Sequence, residues 1–483
     1  MLNPALLTAL GTVLPAAAIL TAPEDTRPYE CDGLTMFRAQ AGAVLLPETE
    51  AQVVAIMKLC RAARLPVVAR GAGTGLSGGA LPNREGVLLS LARFQRILAI
   101  DPLARTATVQ PGVRNLAVSQ AAAPYGLYYA PDPSSQIACT IGGNVAENSG
   151  GVRCLKYGLT VHNLRRVRLV LMDGEVVEAG GTALDGPGYD LLALICGSEG
   201  LLGVITEVTV KLTPKAQDAK CVLSAFDDVM KAGDAVAAVI AAGIVPSGLE
   251  MMDRLTIRAV EPFVCAGYPD AEAILLCESD GVPGEVDAEV AVVRGLMERA
   301  GATLIEVSTN EDQRARFWSG RKAAFPAAGR ISPDYYCMDG TIPRRALAAV
   351  LKRIAELSAE FGLPCMNVFH AGDGNLHPLV LYDAGRPGDV EKTQAFGTKI
   401  LELCVEVGGT ITGEHGVGVE KLGDMCVQFG ERELERFQGV KRAFDPEGLL
   451  NPGKAVPTLH RCAELGRMHV HRGALPHPEL PRF

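Results

Sequence analysis

The chain has 483 residues, 48% of them hydrophobic and 21% charged, with a formal net charge of −9. That length exceeds one ordinary core and the composition excludes a disordered chain, so two or more domains are expected. The acidic balance argues against nucleic acid as the main partner, and any small acidic substrate must be met by specific basic side chains.

The N-terminal stretch MLNPALLTALGTVLPAAAILTAPEDTRP lacks a positive n-region and is interrupted by Gly11 and Pro15. A short helix followed by a packed strand is expected there, not a signal peptide. Nowhere does an apolar run reach the ~20 residues of a membrane span. PETEAQVVAIMKLCRAARLP (47–66) predicts a helix with a Thr49/Gln52 capping box and an apolar face of Val53, Ile56, Met57 and Cys60. LPVVAR (65–70) predicts a strand that runs into the loop GAGTGLSGGALP. A second glycine-rich block follows at 131–158, then a hairpin about Asp173-Gly174 and a β-branched strand within 197–214. A domain boundary is expected near 214–216. Beyond it come alternating helices and strands to about 307, the basic aromatic segment ARFWSGRKAAF (315–325), two histidine motifs, a long helix near 391–407 and the closing FDPEGLLNPGK (444–454). The thirteen cysteines form no CxxC and no cluster, which points to reduced thiols in the cytoplasm. It also leaves no closely spaced set for an iron–sulfur cluster held by this chain alone.

The two glycine-rich segments suit a phosphate-bearing ligand, since bare backbone N–H groups can form an anion-holding nest. In the first, Arg70-Gly71-Ala72-Gly73-Thr74-Gly75-Leu76-Ser77, a dinucleotide fingerprint fails because Leu76 stands where glycine is needed and Pro82 where a helix should run. A P-loop fails because Gly79 replaces its lysine. The second offers Ser134, Ser135, Thr140, Gly142, Gly143, Asn144, Gly150 and Gly151. Two separated loops of this kind fit a long ligand with a pyrophosphate in its middle.

FHAGDGNLH (369–377) reads as a hairpin centred on Asp373-Gly374, which would set His370 directly opposite His377. By itself that pair is either a metal site or a solvated hairpin. ITGEHGVGVEK (411–421) adds Glu414 and His415. His370, His377 and Glu414 together form a two-histidine, one-carboxylate set with positions left open for substrate; zinc fits best, with manganese or iron compatible in ligand type.

PVVARGAGTGLSGGA, PSSQIACTIGGNVAENSGG and GSEGLLGVITEVTVKL resemble the FAD-binding domain of the vanillyl-alcohol oxidase / PCMH superfamily. The second half resembles its FAD-linked oxidase branch, the D-lactate and D-2-hydroxyglutarate dehydrogenases. GRKAAFPAAGRISPDYYCMDGTIPRRAL and the tail LHRCAELGRMHVHRG are similar to the flavin-bearing catalytic subunits of bacterial glycolate oxidases. The likeness covers nearly the whole chain. It implies an α+β fold: a PCMH-type FAD-binding domain of two α/β subdomains (1–215), a substrate or cap domain with an antiparallel sheet and helices (216–445), and a C-terminal segment returning to the flavin (446–483). It also implies non-covalent FAD contacting 70–77, Pro131, Asp132, Ser135, Thr140, Gly142, Gly143, Asn148, Gly150, Gly151, Glu199, Gly200, Ile205 and Asn451. Neither loop holds a histidine for covalent attachment, and Cys139 is the one conceivable thiol.

By the same resemblance the metal belongs to His370, His377 and Glu414. A 2-hydroxy acid would chelate it, His415 would take the hydroxyl proton, and Arg321 would clamp the carboxylate bidentately. Relatives acting on larger diacids carry asparagine and lysine where Leu379 and Cys337 stand, which favours a small substrate such as glycolate or D-lactate. The implied partners are a second FAD-binding subunit and an iron–sulfur subunit delivering electrons to quinone, with docking on the cytoplasmic face of the inner membrane through them. Competing expectations are a D-lactate or D-2-hydroxyglutarate dehydrogenase acting alone, or an oxygen-using alcohol or alditol oxidase. His469, His471 and His477 are expected in a solvated or partner-facing tail.

Overall fold

The computed structural model describes residues 2–183, 186 and 188–458; the tail histidines expected to be solvated or partner-facing lie outside these residues. The N-terminal apolar stretch forms the helix Pro4–Leu10 and the short strand Ile19–Leu20, burying Leu6, Leu10 and Leu14. The helix Glu50–Ala62 carries the expected Thr49/Gln52 capping box and buries Val53, Ile56, Met57 and Cys60. Each such aliphatic burial contributes about 1.5–3 kcal/mol.

Three large sheets, beside a two-stranded ribbon of Leu127–Tyr128 and Thr213–Pro214, organise the described residues. The first runs Ile19–Leu20, Ala43–Leu45, Val87–Ser90, Val67–Arg70, its last three strands parallel. The second is an antiparallel sheet of Ile97–Asp101, Thr106–Val109, Val204–Lys211, Leu164–Val170 and Val176–Gly180, whose last two strands make the Asp173-Gly174 hairpin. The third has seven antiparallel strands in the order Leu304–Val307, Asp218–Phe226, Ala273–Gly281, Gly248–Asp253, Cys365–Phe369, Pro378–Tyr382, Asp334–Cys337. Helices cover both of its faces. Val222, Leu249, Met251 and Phe369 pack under Val229–Ala241, Pro283–Arg299 and Leu347–Phe361, while Cys221, Leu223, Met252 and Val368 pack under Arg254–Val264 and Glu311–Ala328. Burial on both faces explains why these strands read as continuous apolar runs rather than alternating ones.

The long helix spans Asp389–Glu406. After it the chain returns to the first sheet: Leu449 O accepts from Val67 N at 2.8 Å and Asn451 N donates to Val67 O at 2.8 Å. Eleven described cysteines are free thiols. Cys426 is disulfide-bonded, a departure from the expectation of reduced thiols throughout.

Candidate functional site

The histidine hairpin is real, but its register differs from the expected one. Cys365, Met366 and Asn367 pair with Val380, Leu379 and Pro378, and His370 bridges to Asn375 instead of His377. A two-residue Asp-Gly turn needs positive φ at both positions. Only Gly374 adopts it (φ 86°), so residues 371–374 form a longer turn closed by Gly374 N donating to His370 O at 3.1 Å. His370 and His377 become diagonal neighbours on one face, their ring centroids 5.1 Å apart.

The adjoining strand explains how His370 is oriented. Met251 pairs with Phe369; one residue further, Glu250 stands opposite His370, and its Oε1 lies 2.7 Å from His370 Nδ1. This turns His370 Nε2 inward, 3.3 Å from Glu414 Oε1. His377 Nε2 lies 3.2 Å from the same oxygen, yet both ring nitrogens of this buried histidine lack a hydrogen-bond partner. Two ligands about 2.0–2.1 Å from a tetrahedral zinc stand about 3.3–3.4 Å apart. The spacing and the orphaned nitrogens therefore fit a divalent metal held by His370, His377 and Glu414, a grouping whose ligand atoms all lie within 4.8 Å of one another.

Asp339, His377 and His415 form a second grouping of that kind. Asp339, however, is saturated: its oxygens accept from Asn375 Nδ2 (2.8 Å), Thr412 Oγ1 (2.6 Å), the Gly413 and His415 N–H groups (3.0 and 2.9 Å) and Lys421 Nζ (3.1 Å). It anchors the 412–415 loop and has no free lone pair for an ion. The charges agree with this division. Burial works to raise Glu250 and Glu414, but His370 and Arg321 hold Glu250 below the usual carboxylate range, and His370 and His377 hold Glu414 well below it. Burial pushes His415, stacked 4.9 Å from His377, down to about 4 and keeps its imidazole neutral at pH 7.

Arg321 is buried, and its Nε donates to Glu250 Oε2 at 2.6 Å. The residue expected as a carboxylate clamp is thus tied to the carboxylate that orients His370, through one edge of its fork. Glu250, Asp339 and Lys421 were not anticipated from the sequence. Glu250 and Asp339 lie far along the chain from His370 and the 413–415 loop, whereas Lys421 closes the motif ITGEHGVGVEK itself and donates back to Thr412 and Gly416.

The glycine loops converge on the same place. A Cβ on Gly71 would fall 2.3 Å from Thr140 Oγ1, so the two loops touch there; Thr140 in turn caps the helix Ile141–Glu147 by accepting from Gly143 N, with Gly142 in that first turn. Gly71, Ala72, Gly73, Thr74, Gly75 and Leu76 form a partly exposed rim, while Ser77 is buried with its hydroxyl unpartnered. Arg70 braces the loop from behind, donating to the Tyr29 and Ala80 carbonyls. Pro131 is buried and Ser135 half-buried in the second loop; Gly151 abuts Asp132, and a Cβ on Gly150 would fall 2.4 Å from Glu414 Oε2. The second glycine-rich loop and the histidine–glutamate cluster thus face each other directly.

Asn148, Glu199 and Asn451 all take left-handed backbone conformations (φ 53°, 50° and 41°), and Gly200 follows at 71°. Strain of this kind persists where surrounding structure enforces it. Their side chains are committed to protein groups: Asn148 accepts from Val161 N, Glu199 from the N–H groups of Val417 and Gly418, and Asn451 donates to the Gly79 and Glu199 carbonyls. Ile205 sits in the core of the second sheet. Cys139 is buried, its thiol 3.5 Å from Asn144 Nδ2.

Two glycine-rich loops meeting a nitrogen–oxygen donor cluster are the arrangement expected of a flavin-linked oxidoreductase. Residues 41–180 match the FAD binding domain family and residues 215–455 the family of FAD linked oxidases, C-terminal domain. The glycolate oxidase subunit GlcD of Escherichia coli K12 is 62% identical over 478 residues, covering 99% of this chain and 96% of that protein. GlcD of Bacillus subtilis is 37% identical (88% and 91% covered), and a D-lactate dehydrogenase of Anaerostipes hadrus 32% identical (90% and 94%). Among solved structures, 4-ethylphenol oxidase from Gulosibacter chungangensis superposes with a TM-score of 0.80 at 17% identity, covering 94% of this chain and 97% of that one. A substrate-bound p-cresol methylhydroxylase gives 0.79 at 18%, with the same coverage; both establish the fold alone. The chain belongs to the FAD-linked oxidase family of the vanillyl-alcohol oxidase / PCMH group and is an FAD-dependent oxidoreductase.

Proposed function

We propose that the protein oxidises a small 2-hydroxy acid, glycolate and also D-lactate, to the 2-oxo acid, with non-covalent FAD and a divalent metal at His370, His377 and Glu414. Zinc is the metal favoured, manganese or iron the alternatives. The observation that carries this is the single oxygen of Glu414 set 3.2–3.3 Å from both imidazoles, directly beneath Gly150 of the flavin loop. The names of the relatives, glycolate oxidase subunits and a D-lactate dehydrogenase, support the substrate class.

When bound, the flavin supplies the hydride acceptor at N5 and the metal a Lewis acid for the hydroxyl. The chain's own residues do the rest. Neutral His415 takes the hydroxyl proton, its imidazole kept unprotonated by burial and so free to accept one. Arg321 receives the carboxylate on the terminal N–H groups that Glu250 does not occupy. Glu250 holds His370 in the tautomer that presents Nε2. Leu379 and Cys337 are cross-strand partners buried in an apolar cluster, so that position offers nothing to a second carboxylate.

The "subunit" in the names of the glycolate oxidase relatives supports a place in a complex. The partners proposed are a second FAD-binding subunit and an iron–sulfur subunit passing electrons to quinone at the cytoplasmic face of the membrane. No described helix is long and apolar enough to cross a membrane. The proposed division is 1–215 for the flavin, 216–445 for the substrate and 446–483 returning to the flavin.

Anaerobic absorbance titration of the purified chain with glycolate, D-lactate and D-2-hydroxyglutarate tests this reading. Bleaching of the flavin band by the first two, abolished in Glu414→Gln with FAD retained, is expected. No bleaching by any of the three, with FAD and metal present, overturns it.

A further inference from the structure

Six consecutive residues, Gly413 to Gly418, carry the metal ligand Glu414 and the base His415. Five of their backbone N–H groups donate to just two buried carboxylates. Asp339, two residues beyond the strand Asp334–Cys337, takes those of Gly413 (3.0 Å), Glu414 (3.2 Å) and His415 (2.9 Å). Glu199 takes those of Val417 and Gly418, at 2.7 Å each, one on each oxygen.

The two anchors belong to different parts of the molecule. Asp339 comes from the same sheet as the histidine ligands. Glu199 comes from the flavin side, in the turn between the helix Leu191–Ile195 and the strand Val204–Lys211. Its own N–H donates to Ala146 O at 2.8 Å, at the end of the helix that carries Gly142 and Gly143, and Gly197 N donates to Val145 O at 2.8 Å. Its carbonyl accepts from Asn451 Nδ2 at 2.6 Å. A glutamate held at φ 50° is disfavoured by its own Cβ. Glycine would adopt that backbone freely, but only a long carboxylate reaches two amides of the catalytic loop.

We propose that Glu199 is a positioning residue that couples flavin occupancy to the metal cluster, so that FAD ordering the glycine loops also sets the loop bearing Glu414 and His415. The inference rests on the metal site proposed above. Coupling between two sites is reciprocal in binding free energy: if FAD tightens metal binding, metal must tighten FAD binding by the same factor. Asp339 fixes the loop locally and has no such role, because it shares a sheet with the histidines.

The test is zinc titration of the full chain, stripped of metal, with and without FAD, in the natural protein and in Glu199→Gln. Glutamine keeps the shape but turns an N–H₂ toward one of the two amides. FAD is expected to tighten zinc binding by about tenfold in the natural protein. In Glu199→Gln the ratio should fall to within about twofold while zinc and FAD each still bind, and Asp339→Asn should weaken zinc with the ratio kept. A natural ratio near one, or an undiminished ratio in Glu199→Gln, overturns the proposal. Failure of the natural protein to bind zinc, manganese or iron in either state instead removes the metal reading beneath it. Hydrogen exchange on the natural protein needs no variant: the Val417 and Gly418 amides should gain protection when FAD is added, and unchanged exchange there also overturns the coupling.

Discussion

Glu250 Oε1 and His370 Nδ1 face each other at 2.7 Å across adjacent antiparallel strands, while Glu250 Oε2 receives Arg321 Nε at 2.6 Å. One buried carboxylate thus orients the proposed metal ligand His370 and holds the arginine proposed to bind substrate. Glu250→Gln should lower metal affinity about 10–100-fold, the usual effect of removing the partner of a ligating histidine. It should also leave Arg321 buried without its counter-charge, at a cost of about 3–5 kcal/mol. Metal titration and thermal melting read the two effects separately; unchanged metal affinity would detach Glu250 from the site.

Arg321→Lys tests the clamp. Lysine keeps a positive charge for Glu250 but loses the second edge of the planar fork. A hydrogen bond to a charged group contributes about 1.5–3 kcal/mol, so KM for glycolate should rise about 10–150-fold while flavin reduction at saturation changes far less. An unchanged KM would reduce Arg321 to a structural partner of Glu250.

The sequence made the fold legible where local chemistry dominates. The Thr49 capping box and the face of Val53, Ile56, Met57 and Cys60 are settled within one helix. His370, His377, Glu414 and His415 stand out because they are rare, chemically loaded residues in glycine-rich turns. Register was harder to read, because Asp373-Gly374 names a turn without saying how many residues it takes, and His370 pairs two positions away from the expected His377. Glu250 was invisible: its partner lies 120 positions away, and a lone glutamate in the apolar strand Gly248–Asp253 reads as an exception rather than a site. Arg321 was found as a cation, but its carboxylate could be identified only once the strands were paired.

Gly71→Ala should lose flavin while leaving the metal cluster intact. Its Cβ would lie 2.3 Å from Thr140 Oγ1, prying apart the two loops and disturbing the cap on Ile141–Glu147. Overpacking of this kind costs about 1–3 kcal/mol, or about 5–150-fold in FAD affinity if borne by the bound state. The ratio of flavin to protein absorbance after gel filtration checks it, and full retention would show that the loops yield without cost.

Metal binding should weaken as pH falls, and the sign follows from His370. Burial works to lower its proton affinity, but Glu250 and Glu414 together raise it well above the usual histidine value in the metal-free protein. The metal must therefore displace a proton that His370 holds more tightly than an ordinary histidine does. Below the raised value each unit of pH should cost about tenfold in affinity for every proton displaced. Glu250→Gln removes one source of the raised value, so its affinity, though lower, should depend less on pH across the same range. Zinc titrations between about pH 6 and 8 in both proteins distinguish this from simple acid unfolding, which would make the variant the more pH-sensitive of the two.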